Sequence, residues 1–137
     1  MNLITRSIIT FCLFIPFLSC AQNKQTNTEA PQTVYHKISA EEAKKMLDAN
    51  PHILLVDVRS EAEYKGKHIK SAILLPLPEI KSKAASMLPD KDAIIMVYCQ
   101  SGMRSKSAAN QLIAMGYTQI YDIGGGISSW SYETEAN

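Results

Sequence analysis

The sequence predicts an α/β domain, an open parallel sheet flanked by helices on both faces. Two apolar runs carry that reading, ILLVDV at 53–58 and AIIMVY at 93–98. Each has strand length and neither alternates with polar residues, the pattern of strands covered on both sides. Helix-like segments separate the strand-like ones along the chain, the order that builds parallel sheets through crossover helices. With 137 residues, 46% of them apolar and 20% charged, the chain has material for one such domain around a single core.

The first twenty residues stand apart from this domain. MNLITRS carries one basic residue, IITFCLFIPFL is an apolar run interrupted only by Pro16, and small residues follow in SCAQ. This is the layout of a secretory signal, with an apolar part too short to span a bilayer as a helix. Export is expected, to a periplasmic or membrane-anchored location. Phe17-Leu18-Ser19-Cys20 resembles the lipobox of bacterial lipoproteins, which implies a lipid on Cys20 as the first mature residue and the chain's one membrane contact. Cleavage after Ala21 competes and would leave a soluble exported protein.

Residues 21–32 are polar, lack apolar periodicity and end near Pro31, so they read as a flexible linker. The domain is read as 33–132, with 133–137 as a C-terminal tail. All three phenylalanines fall in the signal, which leaves Ile, Leu, Val, Met, Ala, Tyr and one Trp to build the core. Beyond Arg6 the chain carries 13 Lys and Arg against 13 Asp and Glu. A formally neutral domain without a basic face gives no reason to expect a nucleic-acid partner. A monomer is expected.

Within the domain, VYHKI at 34–38 reads as a strand. Ser39 with Glu42 forms a capping-box signature for a helix that presents Ala43, Met46 and Leu47 on one face and stops at Asn50-Pro51. The run 53–58 follows, then a short strand in SAILLPL, a helix in PEIKSKAASML and a turn at PDKD. After 93–98 comes a helix beginning near Arg104, with Ala108, Ala109, Leu112 and Ile113 on one side and Gly116 as its stop. YTQIYDI is the last expected strand, and GGGISSWSYE a glycine turn leading into a final short helix.

Cys99 falls where the apolar run 93–98 ends and that helix begins. In α/β sheets functional residues collect in loops at the carboxyl ends of strands, and Ser101-Gly102 lets such a loop turn its N–H groups inward. The positive end of the helix would face the sulfur, a setting that lowers a thiol pKa from about 8.5 to between roughly 3.5 and 7.5. The plain alternative is a small buried core cysteine. Against it, Cys12 lies within the signal and Cys20 at its cleavage point, so Cys99 has no disulfide partner in an oxidising compartment.

The loop Cys99-Gln100-Ser101-Gly102-Met103-Arg104-Ser105 resembles the active-site loop of rhodanese-like sulfurtransferases. Three more signatures agree in order and spacing: Asp57-Val58-Arg59 with Glu63-Tyr64 behind it, His68-Ile69-Lys70-Ser71-Ala72 before a strand ending in Pro76, and Ile123-Gly124-Gly125-Gly126-Ile127-Ser128-Ser129-Trp130. The resemblance spans about residues 33–132 and implies a rhodanese-like open sheet. It also implies that Cys99 takes the outer sulfur of a donor such as thiosulfate and passes it, as a persulfide, to cyanide or a thiol, without cofactor. Main-chain N–H groups of Gln100 to Ser105 would hold the persulfide sulfur, and Arg104 would supply a positive charge for an anionic donor.

By the same resemblance Asp57, Arg59, Glu63 and His68 brace the loops around the site, Arg59 pairing with Glu63, and His68 forming a hydrogen bond. No group of residues has metal-ligand spacing. The sequence departs from the family pattern at Gln100, where thiosulfate-using members often carry a basic residue, and at Lys67 and Ser71, where glycine is usual. Alternatives are a non-enzymatic module that binds or presents a persulfide, and a phosphatase or arsenate reductase on a related fold. The second of these wants a longer loop. No C-x-x-C pair favours thioredoxin-like chemistry.

Overall fold

The computed structural model describes residues 34–137. The expected signal, the Cys20 lipidation site and the expected 21–32 linker lie outside the described residues. β1 (Val34–Ile38), β2 (Leu54–Asp57), β4 (Ile73–Leu74), β5 (Ile94–Tyr98) and β6 (Gln119–Ile123) form one parallel sheet in the order β1-β6-β5-β2-β4. β3 (His68–Ile69) and β7 (Thr134–Glu135) make a separate antiparallel pair. The helices are α1 (Ala40–Ala49), α2 (Glu61–Gly66), α3 (Ile80–Met87) and α4 (Met103–Ala114).

The sheet is covered on both faces. In β5, Ile95 and Val97 pack with Ala84 of α3 and Ala108 and Leu112 of α4, whereas Met96 and Tyr98 pack with Ala43 of α1, Ile127 and Trp130. All four strand residues are fully buried. A buried Ile, Val or Met contributes roughly 1.5–3 kcal/mol by leaving water, which is why this run shows no polar alternation. The Ser39–Glu42 capping box at the start of α1 is present, with Glu42 N–H donating to Ser39 Oγ at 3.1 Å and Ser39 N–H to Glu42 Oε2 at 2.9 Å.

Three local features differ from the sequence expectations. Ser60 and Glu63 form a second capping box, and it opens the unforeseen six-residue α2. The final helix is one 3₁₀ turn at Gly126–Ser129. Residues 133–137 are no tail, because β7 pairs with β3, Trp130 Nε1 donates to the Glu133 carbonyl at 3.2 Å and Asn137 N–H donates to the Lys65 carbonyl at 3.0 Å.

The strand order locates a topological switch point. The chain leaves β5 toward β6 through α4, and leaves β2 toward β4 on the other side, so the connections diverge between β5 and β2. Loops at the carboxyl ends of such neighbouring strands part and leave space for a ligand. Asp57 and Tyr98 are register partners at that end, immediately before the Arg59 and Cys99 loops.

Candidate active site

Cys99 follows the last residue of the central strand β5, and its side chain shares the face of Val97 that packs under α4. It is 1% exposed. The sulfur nevertheless has polar partners. Gly102 N–H donates to Sγ at 3.0 Å, and Ser105 Oγ lies 3.6 Å away. Gly102, at φ +104°, takes a left-handed turn that L side chains disfavour, and this turn aims its N–H back at the sulfur. Burial pushes the Cys99 thiol up. The N–H and hydroxyl of Ser105 and the N–H groups of Gly102 and Ser101 outweigh burial and leave the thiol below its ordinary value of 9.0.

The other loop residues have distinct placements. Gln100 is exposed, and its amide bridges two neighbours, accepting from Arg59 Nη1 at 3.4 Å and donating to Ser128 Oγ at 2.9 Å. Ser101 is exposed, Met103 is 84% exposed at the start of α4, and Ser105 is fully buried one turn on. The glycine turn after β6 supports the loop from behind. Ile127 N–H donates to the Cys99 carbonyl at 2.8 Å and Ser128 N–H to the Gln100 carbonyl at 3.1 Å. The sequence reading takes this stretch as a glycine turn leading into a helix and misses its contact with the loop; three consecutive glycines after a strand were the available signal.

Arg59 pairs with Asp57 rather than with Glu63. Its Nη2 lies 2.7 Å from Asp57 Oδ2 and 2.6 Å from the Lys67 carbonyl, with Nε 3.0 Å from Asp57 Oδ1. Both side chains are nearly inaccessible, Asp57 at 0% and Arg59 at 4%. Glu63 instead takes Arg104 in a two-bond fork, Nη1 to Oε2 at 2.8 Å and Nη2 to Oε1 at 2.7 Å. That guanidinium, with the N–H and hydroxyl of Ser60, holds the Glu63 carboxyl down to about 2. Arg104, to which the resemblance gives a positive charge for an anionic donor, is thus bonded to a carboxylate of the same chain.

His68 is buried away from solvent, and its Nδ1 donates to the Tyr64 carbonyl at 2.8 Å while its ring stacks on Tyr64 at 3.8 Å between centroids. Tyr64 in turn donates from its hydroxyl to the Ala72 carbonyl at 2.6 Å. The Lys67 departure is accommodated, since its φ of −170° is extended backbone open to any residue. Ser71 is not so placed. Its φ of +66° is the left-handed conformation that glycine adopts most easily.

The chain matches the Rhodanese-like domain family over residues 39–133. It is 40% identical over 70 residues to the thiosulfate sulfurtransferase PspE of Escherichia coli (strain K12), a match covering 51% of this chain and 67% of that protein. It is 33% identical over 105 residues to a tRNA uridine(34) hydroxylase of Photorhabdus laumondii, covering 74% of this chain but only 30% of the hydroxylase. Among solved structures, a rhodanese with anions from E. coli superposes with a TM-score of 0.57 at 33% identity, covering 62% of this chain and 99% of that one. The Alr3790 protein from Anabaena sp. gives 0.68 at 27% identity, covering 72% and 80%. The parallel sheet, the cysteine loop at its central strand and these relatives together show that the chain belongs to the Rhodanese-like domain family.

Proposed function

We propose that the protein transfers sulfane sulfur through a persulfide on Cys99. The observation that carries this reading is a buried cysteine whose sulfur accepts a main-chain N–H at 3.0 Å and whose pKa is lowered in spite of burial. In the first step the Cys99 thiolate attacks the outer sulfur of thiosulfate. A new S–S bond forms, the donor's S–S bond breaks, and its electron pair leaves with sulfite. The N–H groups around Sγ hold the negative charge that then rests on the outer persulfide sulfur. In the second step cyanide or a thiolate takes that sulfur, as thiocyanate or a new persulfide, and the Cys99 thiolate returns.

Mass spectrometry of the domain after incubation with thiosulfate tests the reading. One sulfur atom should be added at Cys99, cyanide should remove it as thiocyanate, and Cys99→Ser should gain none while remaining folded. A protein that binds no sulfur, or gains it equally in the serine variant, overturns the assignment. A second reading, a module that presents the persulfide to a partner protein, draws support from Met103, an exposed apolar side chain beside the site. Under that reading the persulfide forms but cyanide and small thiols discharge it no faster than they discharge a free alkyl persulfide.

We place this activity outside the cytoplasm, on the strength of the apolar run at 8–18 and the Cys20 context. Cys20→Ser should release the protein from the membrane fraction without altering sulfur transfer. Equal distribution of wild type and variant would overturn the lipid anchor.

A further inference from the structure

Both guanidinium groups bonded into the Cys99 loop are neutralised by carboxylates of the same chain. Arg59 is held by buried Asp57 at 2.7 Å, and Arg104 by Glu63 through a two-bond fork. Gln100, the remaining long polar side chain of the loop, carries no charge, and its amide is engaged with Arg59 and Ser128. Lys106 is exposed two residues after Arg104, and positions so spaced do not share a helix face. A donor approaching Cys99 therefore meets two closed ion pairs and the thiolate. Thiosulfate, a dianion, meets the thiolate's repulsion with neither arginine of the loop open to offset it.

The Arg104–Glu63 fork is also well anchored. Glu63 belongs to α2 as its capping-box residue, so its carboxylate takes the Ser60 N–H at 3.0 Å and the Ser60 hydroxyl at 2.8 Å while it holds Arg104. The fork uses two of the five N–H donors of Arg104 and neutralises its charge, so a donor anion meets Arg104 as half of an ion pair unless both bonds break. From this geometry we infer that Glu63 is a specificity-determining residue, which occupies Arg104 and makes the site favour sulfane donors of low negative charge over dianionic thiosulfate. The inference rests on the sulfurtransferase reading and assigns the donor class of the same site. Sulfur transfer from such a donor balances in the same way: the thiolate attacks the outer sulfur of a thiosulfonate, the S–S bond breaks, and a sulfinate leaves with the electron pair.

The test compares thiosulfate with methanethiosulfonate, which carries the same outer sulfur with one negative charge fewer, in wild type and Glu63→Gln. Glutamine serves the capping box at this position as glutamate does, so α2 keeps its start. Removing the Glu63 charge should lower the KM for thiosulfate about three- to fivefold, a typical range for a partly exposed charge. Because the interaction energy scales with donor charge, the KM for methanethiosulfonate should fall only by about the square root of that factor. Equal changes for both donors, or none, overturn the inference and leave the transferase reading standing. Absence of sulfur loading from either donor in wild type overturns both. Salt supplies a check that needs no variant. An open Arg104 would make the wild-type KM for thiosulfate rise with ionic strength, and the closed fork predicts that it stays level or falls.

Discussion

Gly126 lies directly against the carbonyl of Cys99. A Cβ placed on it would overlap that oxygen and stand 2.7 Å from the Gln100 carbonyl carbon, and its φ is +58°. The glycine turn thus fits under the cysteine loop only because it lacks a side chain there. Gly126→Ala should lower stability by more than about 2 kcal/mol, the left-handed conformation alone costing about 1–2 kcal/mol. Urea unfolding should register that loss, and sulfur loading of Cys99 should fall with it. Gly66→Ala meets nothing within 4 Å and should change stability by less than about 1 kcal/mol. Similar effects at the two positions would show that the turn does not support the loop.

Ser105 should govern the ionisation of Cys99. When the sulfur is a thiol, its S–H can donate to Ser105 Oγ; when it is a thiolate, the hydroxyl can donate to it across the same 3.6 Å. The folded thiol pKa lies below 9.0, so the contribution to stability is complete above the unfolded value and is lost as pH falls through the folded one. Ser105→Ala removes the hydroxyl and keeps the N–H. The pH midpoint of iodoacetamide alkylation should therefore rise in the variant. An unchanged midpoint would assign the whole effect to the main chain.

Ser71 takes a conformation that its residue type disfavours, at φ +66° on an exposed turn between β3 and β4. Ser71→Gly should stabilise the domain by about 1 kcal/mol, since glycine enters this region without a Cβ clash. Thermal unfolding checks it. A lower midpoint would mean that the serine side chain contributes more than the strain costs.

The sheet was legible because β2 and β5 are buried on both faces, and uninterrupted apolar runs announce such strands. The placement of Cys99 was legible for a related reason: a strand end, two small residues and a helix start adjoin it in sequence. α2 escaped notice since it has six residues and buries none of them, leaving no apolar period to detect. Its Ser60–Glu63 cap was readable by the rule that identified Ser39–Glu42. The partner of Glu63 was not readable. Arg59 and Arg104 are both chemically suited, and the choice depends on how α2 and α4 approach each other across 41 residues of chain. β3 and β7 have two residues each and pair across the whole domain, too short a pattern to register locally.

Acid should expose the Glu63–Arg104 pair late. The carboxyl is held down to about 2 by Arg104 and Ser60, so its contribution is complete above the unfolded value of about 4.3 and is lost as pH falls through about 2. The side chains are 33% and 40% exposed, so solvent screening limits the pair to about 1 kcal/mol or less. Glu63→Gln should lower stability at pH 6 by that amount and by less at pH 2. A difference from wild type that stays constant between these pH values would place its origin in packing.

Asp57 and Arg59 should act through stability rather than through the chemical step. Removing Asp57 leaves a guanidinium that is 4% exposed with only the Lys67 carbonyl at 2.6 Å and the Gln100 amide at 3.4 Å as partners. Breaking a buried pair in this way costs about 3–5 kcal/mol, because the remaining charge is neither solvated nor neutralised. Asp57→Ala should show that loss in urea unfolding, and Asp57→Ala with Arg59→Met should recover much of it by removing the stranded charge. Sulfur loading, measured on the folded fraction of either variant, should persist, since the N–H groups that hold the sulfur come from Ser101, Gly102 and Ser105. If folded Asp57→Ala loads no sulfur while the double variant is equally inert, the carboxylate takes part in the reaction itself and the bracing role is wrong.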